Sequence, residues 1–68
     1  MTEFDIIGEY IELTKLLKAT QLVESGAMAK EVINEGLVLR NGEIEYRKRA
    51  KIKKGEIIEF EGEQIKVI

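Results

Sequence analysis

Apolar residues at helical spacing predict a first amphipathic helix near the start of the chain. One face of the segment over about residues 12–20 is apolar, and two lysines lie off that face. The apolar positions are Leu13, Leu16, Leu17 and Thr20, and the lysines are Lys15 and Lys18. We therefore expect a short helix whose lysines face solvent.

A second helix is predicted over residues 25–35. Its apolar stripe consists of Ala29, Val32 and Ile33, with Lys30 on the solvent side. Ser25 is a suitable N-cap, and Gly36 stands where a residue in the left-handed conformation ends many helices. Leu22 and Val23 are expected to pack beneath the connection between the two helices.

Shorter runs rich in β-branched and aromatic residues predict five strands. They are expected at residues 3–7, 37–40, 43–46, 56–60 and 64–68. Asn41-Gly42 predicts a tight hairpin, since both residues tolerate positive φ, and a second hairpin is expected across residues 61–63. Ile44 and Tyr46 are expected to share one face of their strand. The order β-α-α-β-β-β-β predicts an α+β fold.

Length and composition narrow the class of protein. The chain has 68 residues, which predicts one domain over residues 1–68. It has no cysteine and no histidine, so disulfides, thiolate catalysis and cysteine/histidine metal sites are excluded. The acidic N-terminus does not resemble a signal peptide, and no apolar run approaches the roughly 20 residues of a membrane span. We expect a cytoplasmic monomer with no membrane partner.

Catalytic chemistry has little support. There is one aspartate, and Ser25 has no candidate base in a recognisable motif. Glu59, Glu61 and Glu63 could share a strand face, but a solvated edge explains them better than a carboxylate site. The glycines form no phosphate-binding motif. We therefore expect no enzyme, no catalytic or metal-binding residue and no cofactor.

Charge is distributed very unevenly along the chain. Its net charge is −2, but residues 40–54 contain seven bases and two acids, a local net charge of +5. Such asymmetry indicates either a solvated, mobile loop or a site for a polyanion. Ile52 lies inside the run and is expected to tether it to the core. If the helices lie beside it, Lys15, Lys18 and Lys30 join the same surface.

The start of the second helix offers a different way to bind an anion. Free N–H groups and the helix dipole favour a negative charge there, and Gly26 has no side chain to obstruct a phosphate. The alternative is that Gly26 only eases a tight turn between the helices. The sequence leaves both interpretations open.

An ordered set of short motifs resembles a known family. These motifs are Leu13-Thr14-Lys15-Leu16-Leu17-Lys18, Ser25-Gly26-Ala27-Met28-Ala29-Lys30, Gly36-Leu37-Val38-Leu39-Arg40-Asn41-Gly42-Glu43, residues 47–51 and Lys54-Gly55-Glu56-Ile57-Ile58. Together they resemble the S-four type RNA-binding domain, or αL motif, in its small stand-alone bacterial branch (YbcJ/YaaA-like). The resemblance implies two helices packed on a small, mostly antiparallel twisted sheet, and RNA binding without catalysis. Many members have arginine where Gly26 and Lys30 stand.

The predicted function is binding of structured RNA, with ribosomal RNA or tRNA as candidates, through phosphate and shape contacts. The predicted RNA-binding residues are Lys15, Lys18, Ser25, Gly26, Lys30, Arg47, Lys48, Arg49 and Lys51. A protein-interaction module, ribosome-associated but without direct RNA contact, is the alternative. DNA is the least favoured partner, because the second helix offers only Lys30 and Asn34 to read base edges.

Overall fold

Two helices and seven strands follow one another in the order ββααβββββ in a computed structural model that describes residues 1–68. The helices are α1 (Leu13–Ala19) and α2 (Gly26–Asn34). The strands are β1 (Thr2–Phe4), β2 (Tyr10–Glu12), β3 (Val38–Arg40), β4 (Glu43–Ile44), β5 (Lys51–Lys53), β6 (Ile57–Phe60) and β7 (Glu63–Val67). The predicted α+β class is confirmed.

The strands form two sheets. The larger sheet has five strands in the order β1-β7-β6-β3-β4, and β1 pairs with β7 in parallel while its other pairs are antiparallel. The smaller sheet consists of β2 and β5 alone, in antiparallel pairing. The expectation of a mostly antiparallel sheet is therefore confirmed.

Two tight turns set the register of the larger sheet. Asn41 (φ 51°) and Gly42 (φ 85°) join β3 to β4, as the Asn-Gly pair predicts. The turn between β6 and β7 also contains two residues with positive φ, Glu61 and Gly62. The expected turn over residues 61–63 is thus one residue too long, since Glu63 already pairs within the sheet.

Local signals also place the helix ends. The Ser25 Oγ accepts a hydrogen bond from the Met28 N–H at 3.1 Å, which confirms the predicted N-cap of α2. Gly36 follows α2 with φ 76°, the left-handed conformation expected there. Val23 is buried and Leu22 partly buried between the helices.

One apolar core joins the helices to both sheets. It contains 15 buried residues, including every residue predicted for the apolar faces of the two helices except Thr20, which is partly exposed. Ile52 of β5 is fully buried in this core, so the predicted tether is confirmed. No helix is long and apolar enough to cross a membrane.

Two predictions about the strands are wrong, and one strand pairing was missed. The first strand ends at Phe4, and Ile7 is 99% exposed because the chain turns at Gly8. The strand after the Asn-Gly turn ends at Ile44 and not at residue 46, so Tyr46 lies beyond it. Ile44 and Tyr46 are both exposed, whereas Glu45 is buried. The pairing of β2 with β5 was not predicted, because three-residue strands carry too little alternation to be recognised.

Candidate nucleic-acid interface

The basic segment, defined as residues 47–54, is fixed to the body of the protein. Ala50 and Ile52 are buried, and β5 within the segment pairs with β2. Tyr10 adds a further contact, because the Lys51 Nζ lies 5.1 Å from the centre of its ring. These contacts contradict the alternative of a loop that is only solvated and mobile.

The basic segment lies across the start of α1. The Leu13 N–H donates to the Ala50 carbonyl at 2.9 Å, and the Thr14 N–H donates to the Lys48 carbonyl at 3.3 Å. Helix α1 has no side-chain cap, so these carbonyls satisfy donors that a cap would otherwise bind. Lys15, in the first turn of α1, is therefore close to the basic segment.

The residue before the basic segment contacts the end of α2. A Cβ placed on Gly36 would lie 3.1 Å from the Tyr46 hydroxyl oxygen, so the tyrosine side chain packs directly against this glycine. The segment thus connects the end of α2 with the start of α1. Gly26 is about 15 Å from Gly36 along α2, at about 1.5 Å per residue.

Arg40 binds a carboxylate on each side of the basic segment and one carbonyl within it. Its Nη1 donates to Glu45 at 3.0 Å, and its Nε and Nη2 donate to the two carboxylate oxygens of Glu56 at 2.8 and 3.0 Å. The same Nη2 donates to the Lys51 carbonyl at 3.0 Å. We call Arg40, Glu45 and Glu56 the Arg40 clamp.

The two carboxylates of the clamp also bind the backbone of the segment. Glu45 accepts from the Arg47 N–H at 3.1 Å, and Glu56 accepts from the Lys53 N–H at 2.7 Å. The Arg47 guanidinium makes two further bonds to Glu45, each 3.1 Å long. The segment is therefore held in one shape before any ligand arrives.

These contacts shift the acidity of both carboxyl groups. Hydrogen bonds from Arg47 lower the pKa of Glu45 to about 2; burial acts in the opposite direction, and Arg40 adds to the lowering. The pKa of Glu56 is also lowered, mainly by its hydrogen bonds from Arg40 and again against burial. Both carboxylates are therefore ionised at neutral pH.

The protein should lose stability in acid through Glu45. Its pKa is about 2 in the folded protein against an ordinary 4.5, so its contribution is complete above about pH 4.5 and is lost as pH falls toward 2. We expect a loss on the order of 2 kcal/mol, allowing for screening by solvent. Urea unfolding between pH 2 and 6 measures it. Glu45→Gln should flatten this dependence, and an unchanged pH profile in that variant would contradict the assignment.

Cations line an open depression on this side of the protein. Its volume is about 440 Å³, and five of its six lining residues are basic. The lining residues are Arg40, Arg47, Arg49, Ala50, Lys51 and Lys53. Because the charges of Arg40 and Arg47 are balanced by the two clamp carboxylates, Arg49, Lys51 and Lys53 set the potential of the depression.

The predicted RNA-binding residues fall into three groups, on the basic segment, on α1 and on α2. Arg47, Arg49 and Lys51 line the depression, and Lys48 is next to them at the start of α1. All four are exposed, although Arg47 forms an ion pair with Glu45 that the sequence did not reveal. Lys15 and Lys18 are exposed in the first and last turns of α1.

The residues predicted on α2 extend the surface away from the depression. Ser25 and Gly26 are at the N-terminal end of α2, the end remote from Tyr46. Gly26, Lys30 and Asn34 share one face of the helix by their spacing of four residues, and the acidic Glu31 and Glu35 share another. The φ of Gly26 is not in the left-handed region, and a Cβ added there would have no atom within 4 Å. The turn between the helices therefore does not require glycine at this position.

Sequence reasoning missed three residues of this surface. Lys53 belongs to the depression, Tyr10 supports Lys51, and Arg40 organises the clamp instead of contributing a free charge. The alternation of charged and apolar residues at Lys51-Ile52-Lys53 could have shown that Lys53 lies on the same exposed face as Lys51. No sequence signal connects Arg40 with Glu56, 16 positions away.

Comparison with known proteins identifies the family. The family model described as the S4 domain matches residues 4–68. The chain belongs to the S4 domain family. This match confirms the resemblance inferred from the sequence. It includes both helices and every strand, except the first two residues of β1.

Relatives and a solved structure agree with this assignment. The Escherichia coli "Putative RNA-binding protein YbcJ" is 44% identical over 59 residues, which cover 87% of this chain and 84% of YbcJ. The Bacillus subtilis "Probable ribosome maturation protein RlbA" is 39% identical over 54 residues, covering 79% and 76% of the two chains. A solution structure of Escherichia coli YbcJ, described as revealing an αL motif involved in RNA binding, has a TM-score of 0.76 at 40% identity. The structural match covers 100% of this chain and 87% of the YbcJ chain.

Proposed function

We propose that this protein binds structured RNA through the basic segment and the adjoining solvent faces of α1 and α2. The observation that carries the proposal is that an acidic chain concentrates its cations on one ordered segment. Lys48, Arg49, Lys51, Lys53 and Lys54 of that segment form no ion pair with a protein carboxylate. Their charges are therefore available to phosphate groups.

The Arg40 clamp favours recognition of a fixed RNA shape. A segment that is already ordered loses little conformational freedom on binding, and it presents its cations at defined positions. Both tyrosines of the surface have protein contacts, Tyr10 with Lys51 and Tyr46 with Gly36. These are the chain's only two tyrosines and it has no tryptophan, so stacking of single-stranded bases is not the expected mode and folded RNA read by its backbone is favoured.

Ribosomal RNA is the first candidate within this class, and tRNA is the second. One relative has a name that connects it with ribosome maturation, and YbcJ has a name that connects it with RNA binding. Such a partner would place the activity in the cytoplasm. The single core supports residues 1–68 acting together as one binding domain.

A catalytic role is not part of this proposal. The four groups whose pKa is clearly shifted are Arg40, Glu45, Arg47 and Glu56, and all four belong to the clamp or its ion pair. Groups with shifted pKa values in a cleft often indicate catalysis, but here the hydrogen bonds and ion pairs among these four residues account for the shifts.

RNA binding should depend strongly on salt. If about five phosphates are neutralised, the logarithm of the binding constant should fall against the logarithm of salt concentration with a slope of roughly −3.5 to −4.5. Fluorescence anisotropy with a folded ribosomal RNA fragment, between low and physiological salt, measures this slope. Affinity that is independent of salt would contradict the proposal, and stronger binding to an unfolded strand would contradict recognition of shape.

Substitutions at Gly26 test how far the RNA surface extends along α2. Gly26→Glu should be neutral for folding or stabilise it by up to roughly 1 kcal/mol, since a carboxylate at a helix N-terminus is favourable. The same change should weaken RNA binding, whereas Gly26→Arg should strengthen it. Melting temperature and RNA affinity should be compared for both variants at one salt concentration. Unchanged affinity in Gly26→Glu would show that this end of α2 does not face the RNA.

A further inference from the structure

A second surface with the opposite charge surrounds β1. An apolar depression of about 270 Å³ opens there, and five of its six lining residues are hydrophobic. These residues are Phe4, Asp5, Ile6, Ile7, Tyr10 and Ile11. The Ile7 side chain, at 99% exposure, is the most exposed large hydrophobic residue of the protein. An aliphatic group this exposed, next to an apolar depression, is typical of an interaction site.

Acidic residues border this depression. Glu3, Asp5 and Glu9 are exposed, and none of them forms an ion pair within the protein. Residues 1–14 contain four acids and no lysine or arginine. Lys66 of β7 is in register with Glu3 but makes no ion pair with it. A ligand for this surface must therefore be cationic as well as apolar.

The β1 strand also offers unpaired backbone groups. It is an edge strand, and its only neighbour in the sheet is β7. The Phe4 carbonyl accepts from the Ile68 N–H at 2.9 Å, and the Ile6 N–H donates to the Ile68 carbonyl at 3.0 Å. Because backbone groups alternate in direction along a strand, those of Glu3 and Asp5 point to the free edge.

We propose that the β1 edge and its depression bind an extended segment of a basic protein. The segment adds a strand beside β1, places an aliphatic side chain in the depression next to Ile7, and pairs its lysines or arginines with Glu3, Asp5 and Glu9. RNA is disfavoured here because its phosphates would meet these acids. A second copy is disfavoured because antiparallel pairing of two β1 strands would place Glu3 and Asp5 opposite each other. The site adjoins the RNA surface at Tyr10, which contacts Lys51, but no residue of the basic segment lines the depression.

A synthetic peptide of alternating lysine/arginine and valine/isoleucine residues is a direct probe. Its controls are one peptide with glutamate at every basic position and one with serine at every aliphatic position. Fluorescence anisotropy should show saturable binding of the first peptide and none of the controls. Amide shifts in NMR spectra should change at residues 3–9 and stay constant at residues 47–49. No saturable binding up to 1 mM, or shifts confined to the basic segment, would overturn the proposal.

Two exposed isoleucines provide a matched pair of variants. Ile7→Asp should weaken peptide binding about tenfold or more, because it removes apolar contact area and places a charge in the depression. Ile44→Asp, at a 50% exposed isoleucine on the opposite edge strand, should leave the affinity unchanged. Equal losses in both variants would overturn the proposal, as would a dimer in sedimentation that Ile7→Asp converts to a monomer. Peptide affinity should also survive Lys48→Glu with Arg49→Glu, which separates this site from RNA binding.

Discussion

Arg40→Met should destabilise the protein by about 2–4 kcal/mol and abolish tight RNA binding. The substitution keeps most of the side-chain volume but leaves Glu56, which is largely buried, without a cation, while Glu45 keeps only Arg47. An uncompensated carboxylate of this kind is costly, and in a domain of this size such a loss lowers Tm by about 10 °C or more. RNA binding suffers as well, because the basic segment loses the bond from Arg40 to the Lys51 carbonyl. The carboxylates that accept from the Arg47 and Lys53 N–H groups also lose the cation that holds them in place.

Arg40→Lys is the matched control for geometry. It keeps the positive charge but cannot bind both oxygens of Glu56 while also reaching Glu45. We expect its Tm to lie between those of the native protein and Arg40→Met. Adding Glu56→Gln to Arg40→Met should recover part of the stability, since it removes an unpaired charge. Native Tm and native RNA affinity in Arg40→Met would show that the clamp is dispensable.

The helices and the hairpins of the larger sheet could be predicted from the sequence because their signals are local. Ser25 and Gly36 mark the ends of α2 by the backbone chemistry of those positions, and Asn41-Gly42 specifies a tight turn in the same way. Each signal depends on one or two neighbouring residues and needs no knowledge of the rest of the fold. The predicted ends were accordingly close to those observed.

The features that position the candidate site are not local. Three-residue strands β2 and β5 are stable only because they pair with each other and because Ile11 and Ile52 pack on the core. The clamp joins Arg40 to a carboxylate 16 positions away in the sequence. The charge count along the sequence therefore included Arg40 among the free cations. The basic segment could therefore be recognised by its charge and its tether by Ile52, but the clamp and the position of the segment at the start of α1 could not.

The ion pair between Arg47 and Glu45 changes which substitutions test RNA binding well. Arg47 is exposed, as expected, yet its reversal to glutamate would place a second carboxylate beside Glu45 and disturb the fold. Lys48 and Arg49 have no such partner and remain exposed. Lys48 binds α1 only through its backbone carbonyl, which a change of side chain leaves in place.

Lys48→Glu combined with Arg49→Glu should weaken binding to folded RNA on the order of 100-fold at low salt. Two phosphate contacts are lost and two like charges then face the RNA, so the salt slope should also decrease in magnitude by about 2. Stability should stay within about 0.5 kcal/mol of the native value, because neither side chain has a partner in the protein. Anisotropy titrations at several salt concentrations and thermal unfolding measure both effects.

Lys66→Glu is the matched control for net charge. Lys66 is exposed on β7, outside the basic segment and without an ion pair, and its reversal changes the charge of the protein as much as Arg49→Glu alone. At physiological salt, screening over about 8 Å limits the effect of a distant charge, so Lys66→Glu should reduce affinity by less than about threefold. Arg49→Glu should reduce it by about tenfold, because it acts at a phosphate contact. Equal losses in the two variants would mean that RNA responds to the total charge and not to the basic segment.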